Sequence, residues 1–375
     1  MPTQNYSPNY PQNIDKPREF IEEKLQTVVP NKARRKCIAA FLIAILAVQT
    51  VGLPKIANVF PSQVQKSSVY KRLQRLLREF EFDQDKLALF LAALCNVPGP
   101  WVLSLDRTNW KFGKSHLNIL MLSIVSPGIT FPLLWTTLTK NDIGKAGNSN
   151  TEERIALLER FFRLFSSQKG SCLLADREFA SKEFLDYFDS LGSFYEIRLK
   201  STLLIADSNG EMCSADHLFH RAVGQILVLG WRKVLGKRRF VVGTRLETGD
   251  YLIVVSNREF SLDHYRLRWG IETMFGSFKT GGFHLEDTHV SDPIRLSRLV
   301  ALLCLAYTCA GVCGRENVCG SEKIYPVKLR VLKHGRAPIC LLRLGLDLLQ
   351  NWSLSLCRTV NKSQETLLLN FLSCT

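Results

Sequence analysis

Two short apolar runs in this sequence end in the same way. Residues 101–107 read WVLSLDR and residues 171–177 read SCLLADR, so each run delivers an aspartate, Asp106 or Asp176, followed by an arginine, Arg107 or Arg177. Runs this short, bounded by polar residues, read as buried strands rather than helices. Strands buried on both faces belong to sheets covered by helices, which points to the α/β class. In open α/β sheets, sites form at the carboxyl ends of strands. Two such strands lying side by side would carry Asp106 and Asp176 to one edge of the sheet. Taken singly, either aspartate reads as a cap or turn residue.

The surrounding chain fits that class. Residues 116–125 and 129–138 read as two further strands, with the polar, glycine-containing stretch 140–150 after them. Residues 151–167 form an amphipathic helical pattern with Thr151 as its capping residue. A second helix over 181–192 stops at Gly192, and 193–200 reads as a strand. Residues 199–257 break the rhythm: three strand-like runs separated by glycines and charged pairs make a β-rich insertion. An apolar helix follows at 292–313. A C-terminal helical stretch over 338–372 comes after the basic residues Lys328, Arg330, Lys333 and Arg336.

Between the insertion and the apolar helix, residues 264–283 (HYRLRWGIETMFGSFKTGGF) read as one amphipathic helix. It starts near Ser261 and Asp263 and stops at Gly281-Gly282. Tyr265, Arg268, Glu272 and Lys279 fall within about 60° of one another on its wheel, at about 100° per residue. Leu267, Ile271, Met274, Phe275 and Phe278 supply the apolar face. A carboxylate, two cations and a phenol on one stripe make a poor core face. Phosphate suits the cations, and a divalent metal suits the carboxylate. A solvated stripe with Arg268–Glu272 as an ordinary i,i+4 pair is the plain alternative. Three converging carboxylates repel unless they bind metal, and two-metal phosphoryl transfer is the chemistry that uses them.

The formal net charge of +15 favours a polyanionic partner, nucleic acid first. From Lys32 to Arg78 there are ten Lys or Arg and no Asp or Glu. The helical pattern there ends in a basic helix, with Ser67 or Ser68 as N-cap, that carries Lys71, Arg72, Arg75 and Arg78. Short helices with a basic last member suggest a helix-turn-helix-like DNA-binding module. The alternative is a helical domain with a basic surface. The run 37–48 is too short to span a bilayer, which takes about 20 apolar residues, so it reads as a buried helix. The 11 cysteines form no CxxC pair; Cys304, Cys309, Cys313 and Cys319, in or near the apolar run LVALLCLAYTCAGVC, read as buried thiols, which points to a reducing compartment.

The spacing Tyr265-x2-Arg268-x3-Glu272-x6-Lys279 resembles the YREK signature of the insertion-sequence-4 family of DDE transposases. DRTNW at Asp106 and ADREF at Asp176 resemble that family's first two acidic motifs. The resemblance covers roughly residues 100–300. It implies a ribonuclease-H-like catalytic core with a β-rich insertion, in addition to the helical N-terminal and C-terminal regions. It implies Mg²⁺, with Mn²⁺ as a substitute, held by Asp106, Asp176 and Glu272. The implied reaction is cut-and-paste transposition: cleavage at the transposon end, then attack of the freed 3′-OH on target DNA. Tyr265, Arg268 and Lys279 would hold phosphates of the transposon end. In hairpin-forming relatives an aromatic residue of the insertion stacks on a flipped base, and Trp231 is the candidate here, with core packing as its plain alternative. Arg107, Arg177, Asn109 and Lys111 flank the site.

The expected organisation is a flexible tail over 1–30 and a helical DNA-binding domain over 31–98. A catalytic domain over 101–315 follows, with its insertion at 199–257, and then a helical region over 316–375. Expected partners are terminal inverted repeats, target DNA and a second subunit, in a prokaryotic cytoplasm at the nucleoid. Three other readings fit parts of the sequence. They are an inactive DNA-binding descendant of a transposase, a ribonuclease-H-like nuclease without strand transfer, and a membrane-surface protein using residues 32–53.

Overall fold

The computed structural model describes residues 15–60, 62, 64–112, 115–138, 149–288, 290, 292–319 and 340–355. Residues 1–14 of the expected tail, the loop at 139–148, and Lys328, Arg330, Lys333 and Arg336 lie outside them, whereas residues 15–24 of that tail are helical rather than a flexible extension. In chain order, five helices come first: α1 (Asp15–Lys24), α2 (Lys32–Val48), α3 (Leu53–Val59), α4 (Lys66–Glu79) and α5 (Gln84–Cys95). Strands β1 (Val102–Phe112), β2 (Ser115–Ser126) and β3 (Ile129–Leu138) follow, then α6 (Thr151–Leu164), β4 (Cys172–Ala175), α7 (Lys182–Leu191) and β5 (Phe194–Arg198). The insertion holds β6 (Leu204–Ala206), β7 (Met212–Ser214), α8 (Ala215–Phe219), β8 (Leu227–Val234), β9 (Lys237–Arg245) and β10 (Tyr251–Ser256). The chain continues through α9 (Leu262–Tyr265), α10 (Trp269–Lys279), α11 (Pro293–Cys319) and α12 (Leu341–Ser355).

Two compact units result. One is Val97–Phe275; the other combines the residues up to Asn96 with those from Gly276 onward.

The first unit is built on a ten-stranded sheet in the order β3-β2-β1-β4-β5-β10-β9-β8-β6-β7. β1, β4 and β5 run parallel, and β2 pairs antiparallel with β1. This mixed α/β sheet has the ribonuclease-H-like form that the resemblance implied. The insertion does not make a separate sheet, because β10 pairs antiparallel with β5 and carries the ladder onward. Leu103, Leu105, Leu173, Leu174, Tyr195 and Ile197 are all buried, as strands covered on both faces require. α6 starts from a capping box, but the cap is Asn150, not Thr151: Asn150 accepts from the Glu153 N–H at 2.8 Å and Glu153 returns the bond. The short strands β6 and β7 and helix α8 had no sequence forecast, since three- to five-residue elements carry too little periodicity.

The other unit is helical. α11 packs against α2, α4, α5 and α12. α4 starts one residue before the forecast serines, from Gln65 with no side-chain cap bond, which leaves Ser67 and Ser68 inside its first turn. α11 is long and apolar enough to cross a membrane, but 83% of its most apolar stretch is buried inside the protein. α2 and α3 bend by 102° at their junction, and residues Ile38–Leu46 of α2 are buried. The cysteine forecast holds for Cys304 and Cys313, which are buried, holds in part for Cys309, which is half-buried, and fails for Cys319, which is exposed.

Candidate active site

The site grows from the β1–β4 register. Leu105 pairs with Ala175 as the last residue of the parallel ladder. Asp106 and Asp176 are each the next residue, so both leave the ladder at the same level, at the carboxyl end of β4. Asp106 stays within β1, opposite Met121 of β2. Asp176 instead turns the chain into a short 3₁₀ segment, Arg177–Phe179.

Glu272 arrives from a helix that is less regular than its sequence suggests. Ser261 caps the run, accepting from the His264 N–H. α9 then tightens into a 3₁₀ turn over Arg266–Arg268 before α10 begins. That turn lifts Leu267 out of the expected apolar face, and it is 40% exposed. Ile271, Met274, Phe275 and Phe278 are buried as expected.

Arg268 is the electrostatic centre. Its guanidinium is buried, bonding Asp106 Oδ2 through Nη1 at 3.4 Å and Glu272 through Nη2. One cation thus spans the first and third carboxylates. Asp106 Oδ1 also accepts from the Arg107 N–H at 2.7 Å. Burial nevertheless pushes the Asp106 carboxyl up to about 6; the Arg107 N–H and Arg268 offset this in part, while Glu178 and Glu272 add to it. Asp176 has Arg198 Nη1 at 3.9 Å, and its buried Oδ1 has no hydrogen-bond partner among the described residues. An under-bonded carboxylate oxygen beside a destabilised carboxylate is what a bound cation would relieve. Oxygen donors are the set a hard divalent ion such as Mg²⁺ or Mn²⁺ takes, but the three carboxylates are not among the described side chains whose ligand atoms lie within 4.8 Å of one another.

Tyr265 is buried, and its hydroxyl donates to the Ala175 carbonyl at 3.1 Å, tying the helix to the strand that ends in Asp176. Burial pushes its phenol well above the ordinary range. Lys279, half-buried at the end of α10, belongs to the helical unit. Arg107 pairs with Glu178 at 3.1 Å and donates to Asn109 at 2.9 Å. Arg177 is exposed. Trp231 lies on β8, 37% exposed, with Phe240 edge-on at 5.7 Å, so it is not a core residue. Lys71, Arg72 and Arg75 are exposed on α4. Arg72 and Arg75 border a cavity of about 550 Å³, with Arg18, Arg34 and Lys36 also on its wall.

The sequence reading missed Arg198 and Glu178, the partners of Asp176 and Arg107. It also missed a second set of ligand-type side chains, Cys172, Glu196 and His264, whose donor atoms all lie within 4.8 Å of one another. These residues could hold a metal ion, although they are not the carboxylates described above. The one available signal was Glu196, a charged residue flanked by Tyr195 and Ile197 in the middle of the strand FYEIR.

No curated protein sequence matches the chain. A solved structure of a piggyBac transposase synaptic complex with hairpin DNA aligns at 11% identity and a TM-score of 0.46, over 96% of this chain and 83% of that one. Residues 98–309, more than half of the chain, match the family model of the transposase DDE domain. That match spans the sheet, both aspartates, Arg268 and Glu272, and with it the chain belongs to the DDE transposases.

Proposed function

We propose that this chain is an active transposase of the insertion-sequence-4, YREK-signature type, which cuts DNA at transposon ends and joins the freed 3′-OH to target DNA. The observation that carries this reading is the β1–β4 register, with an aspartate directly after the last paired residue of each strand and Arg268 bridging the first aspartate to Glu272.

In this reading Asp106, Asp176 and Glu272 hold Mg²⁺, or Mn²⁺ in its place. When bound, the ions activate the attacking oxygen and stabilise the leaving 3′ oxygen. Arg268 neutralises Asp106 and Glu272 until then, and its planar guanidinium suits a phosphate once released from them. Tyr265 holds the helix start against the Asp176 strand, which keeps the carboxylates in register. Lys279 meets a phosphate of the transposon end. Trp231, exposed with Arg232 and Lys233 beside it, offers a ring face to an unstacked base. Arg177, Lys71, Arg72 and Arg75 contact the DNA backbone, with residues 31–98 as the DNA-binding domain and 101–315 as the catalytic domain. Two subunits bring two ends together.

The test uses labelled DNA from the ends flanking the protein's own gene, in Mg²⁺. Wild type is run beside Asp106→Ala, Asp176→Ala and Glu272→Ala. The expected outcome is cleavage at a defined end and joining to new DNA, both lost in each variant while binding is kept. Normal cleavage by any one variant would sink the triad. Cut ends that never join would reduce the function to a nuclease, and binding without cleavage by wild type would make it an inactive descendant.

A further inference from the structure

Cys172 opens β4, Glu196 lies in the middle of β5, and His264 sits in α9 one residue before Tyr265. The strand register puts Cys172 opposite Phe194 and Leu174 opposite Glu196. Side chains alternate along a strand, so Cys172 and Glu196 share one face of the sheet as diagonal neighbours. The Cys172 Sγ lies 3.7 Å from Glu196 Oε1, and His264 Nδ1 lies 2.7 Å from the same oxygen.

Glu196 is fully buried, and its other oxygen, Oε2, has no hydrogen-bond partner among the described residues. An unpaired oxygen on a buried carboxylate is costly, and little nearby relieves it. Arg258 Nη2 is 3.8 Å from Oε1, beyond hydrogen-bond reach. Its guanidinium stacks over Phe194 at 4.4 Å, and its side chain is 36% exposed, so it is free to give way.

We infer that Cys172, Glu196 and His264 form a zinc-type transition-metal site, separate from the three carboxylates of the proposed catalytic centre. The donor set decides the class of ion. One sulfur, one imidazole nitrogen and one carboxylate oxygen suit Zn²⁺ or Co²⁺ rather than the hard, oxygen-seeking Mg²⁺. Tetrahedral Zn–S and Zn–O bonds of about 2.3 and 2.0 Å put sulfur and oxygen about 3.5 Å apart, close to the 3.7 Å between Cys172 and Glu196. His264 Nδ1, hydrogen-bonded to Glu196 Oε1 at 2.7 Å, has to move outward by about 0.6 Å to reach the separation of about 3.3 Å that two such bonds set. A thiolate and a carboxylate offset a divalent ion, the neutral imidazole adds no charge, and the Arg258 guanidinium, 3.8 Å from Glu196 Oε1, has to swing away as the ion enters. Burial keeps the free Cys172 thiol protonated, with the Glu196 charge adding to the effect. The ion would displace that proton, as metals do from a coordinating thiol. His264, with 30% of its side chain exposed, is the side from which an ion enters and where a water completes the shell.

Such an ion ties β4, β5 and the first turn of the signature helix together at one point. His264 is adjacent to Tyr265, and Tyr265 is bonded to the residue before Asp176. The ion therefore stiffens the helix start without touching Asp106, Asp176 or Glu272.

The full-length protein, stripped of metal by chelation, is titrated with Co²⁺ and then Zn²⁺ in the absence of DNA. We expect one tight Co²⁺ per chain with a near-ultraviolet thiolate-to-cobalt band, displaced by Zn²⁺, and a rise in Tm on loading. The band should vanish in Cys172→Ser. Affinity should fall about tenfold or more in His264→Gln, as for loss of a ligand or its support. A band that survives in Cys172→Ser would assign it to another cysteine and overturn the site. No stoichiometric binding would do the same, and would leave the cluster as a hydrogen-bonded Glu196–His264 pair. If Cys172→Ser does not fold, unchanged affinity in His264→Gln overturns the proposal by itself. Because the readout needs no DNA and no cleavage, failure here leaves the transposase reading untouched, and the reverse also holds.

Discussion

Asp106 is the residue whose chemistry is most displaced from its ordinary state. Its carboxyl is pushed up to about 6, chiefly by burial, against about 3.9 for a free aspartate. For an acid with a raised folded-state value, the stabilising contribution is present below about pH 4 and lost as pH rises through about 6. Two units correspond to about 3 kcal/mol. Asp106→Asn, which keeps an acceptor for the Arg107 N–H, is therefore expected to gain stability over wild type between pH 4.5 and pH 8, by up to about 3 kcal/mol. Thermal melts at the two pH values check this, and a pH-independent difference would contradict it. Divalent ions should likewise stabilise wild type more at pH 8 than at pH 5, because protonation of Asp106 competes with them. Arg268→Gln removes the cation that holds Asp106 down, so the loss of metal stabilisation should move to higher pH in that variant. Tyr265→Phe removes one buried hydrogen bond to Ala175 and should cost about 1 kcal/mol in urea unfolding.

Two close approaches between elements can be tested by adding a methyl group. Gly270, in the first turn of α10, leaves no room for a Cβ, which would collide with the Thr130 Oγ1 on β3. Gly270→Ala should cost about 1–3 kcal/mol, the usual range for overpacking. Most of that should return in Gly270→Ala combined with Thr130→Ala, because the obstructing atom is a side-chain hydroxyl and it has no hydrogen-bond partner to lose. If the double variant is no more stable than the single one, the contact is not what sets the helix position. In the helical unit, α11 and α12 meet at Gly314 and Gly345. A Cβ on either would run into a backbone carbonyl oxygen of the other helix, of Leu341 or of Ala310. Backbone cannot yield as a hydroxyl can, so Gly314→Ala or Gly345→Ala should loosen this helix pair with no single-residue rescue. Hydrogen exchange of α11 and α12 would report it.

For the whole molecule, the net charge of +15 sets how it meets DNA. The cations cluster, with ten in the 32–78 segment and no acid among them. In the proposed function several phosphates are neutralised at once, and each releases counterions. A protein making 6–10 phosphate contacts loses about 10³–10⁵ in affinity between 50 and 200 mM salt. A slope of that size is expected here on end-containing DNA. It should become shallower by about one for each of Lys71, Arg72 and Arg75 replaced by Ala, with no change in sequence preference. An unchanged slope in the triple variant would remove α4 from the DNA interface.

Much of the fold is legible in the residues themselves. Strand-length apolar runs, helix periodicity and stops such as Gly192 are local signals, and β1 to β5, α6, α7, α10 and α11 follow from them. The two Asp-Arg run ends and the 0, 3, 7, 14 spacing of the stripe are local too, so the candidate site residues could be named from the chain alone. What folding added depends on contacts between distant segments, which no window of sequence contains. Asp106 and Glu272 share the Arg268 guanidinium because β1 and the helix meet in space. The Tyr265 hydroxyl turns inward because the Ala175 carbonyl is there to accept it. The 3₁₀ turn that exposes Leu267, the insertion's continuation of the core sheet through β10, and the meeting of Cys172, Glu196 and His264 have the same origin. Periodicity sets which face of an element is apolar; packing alone decides which polar side chains then find each other.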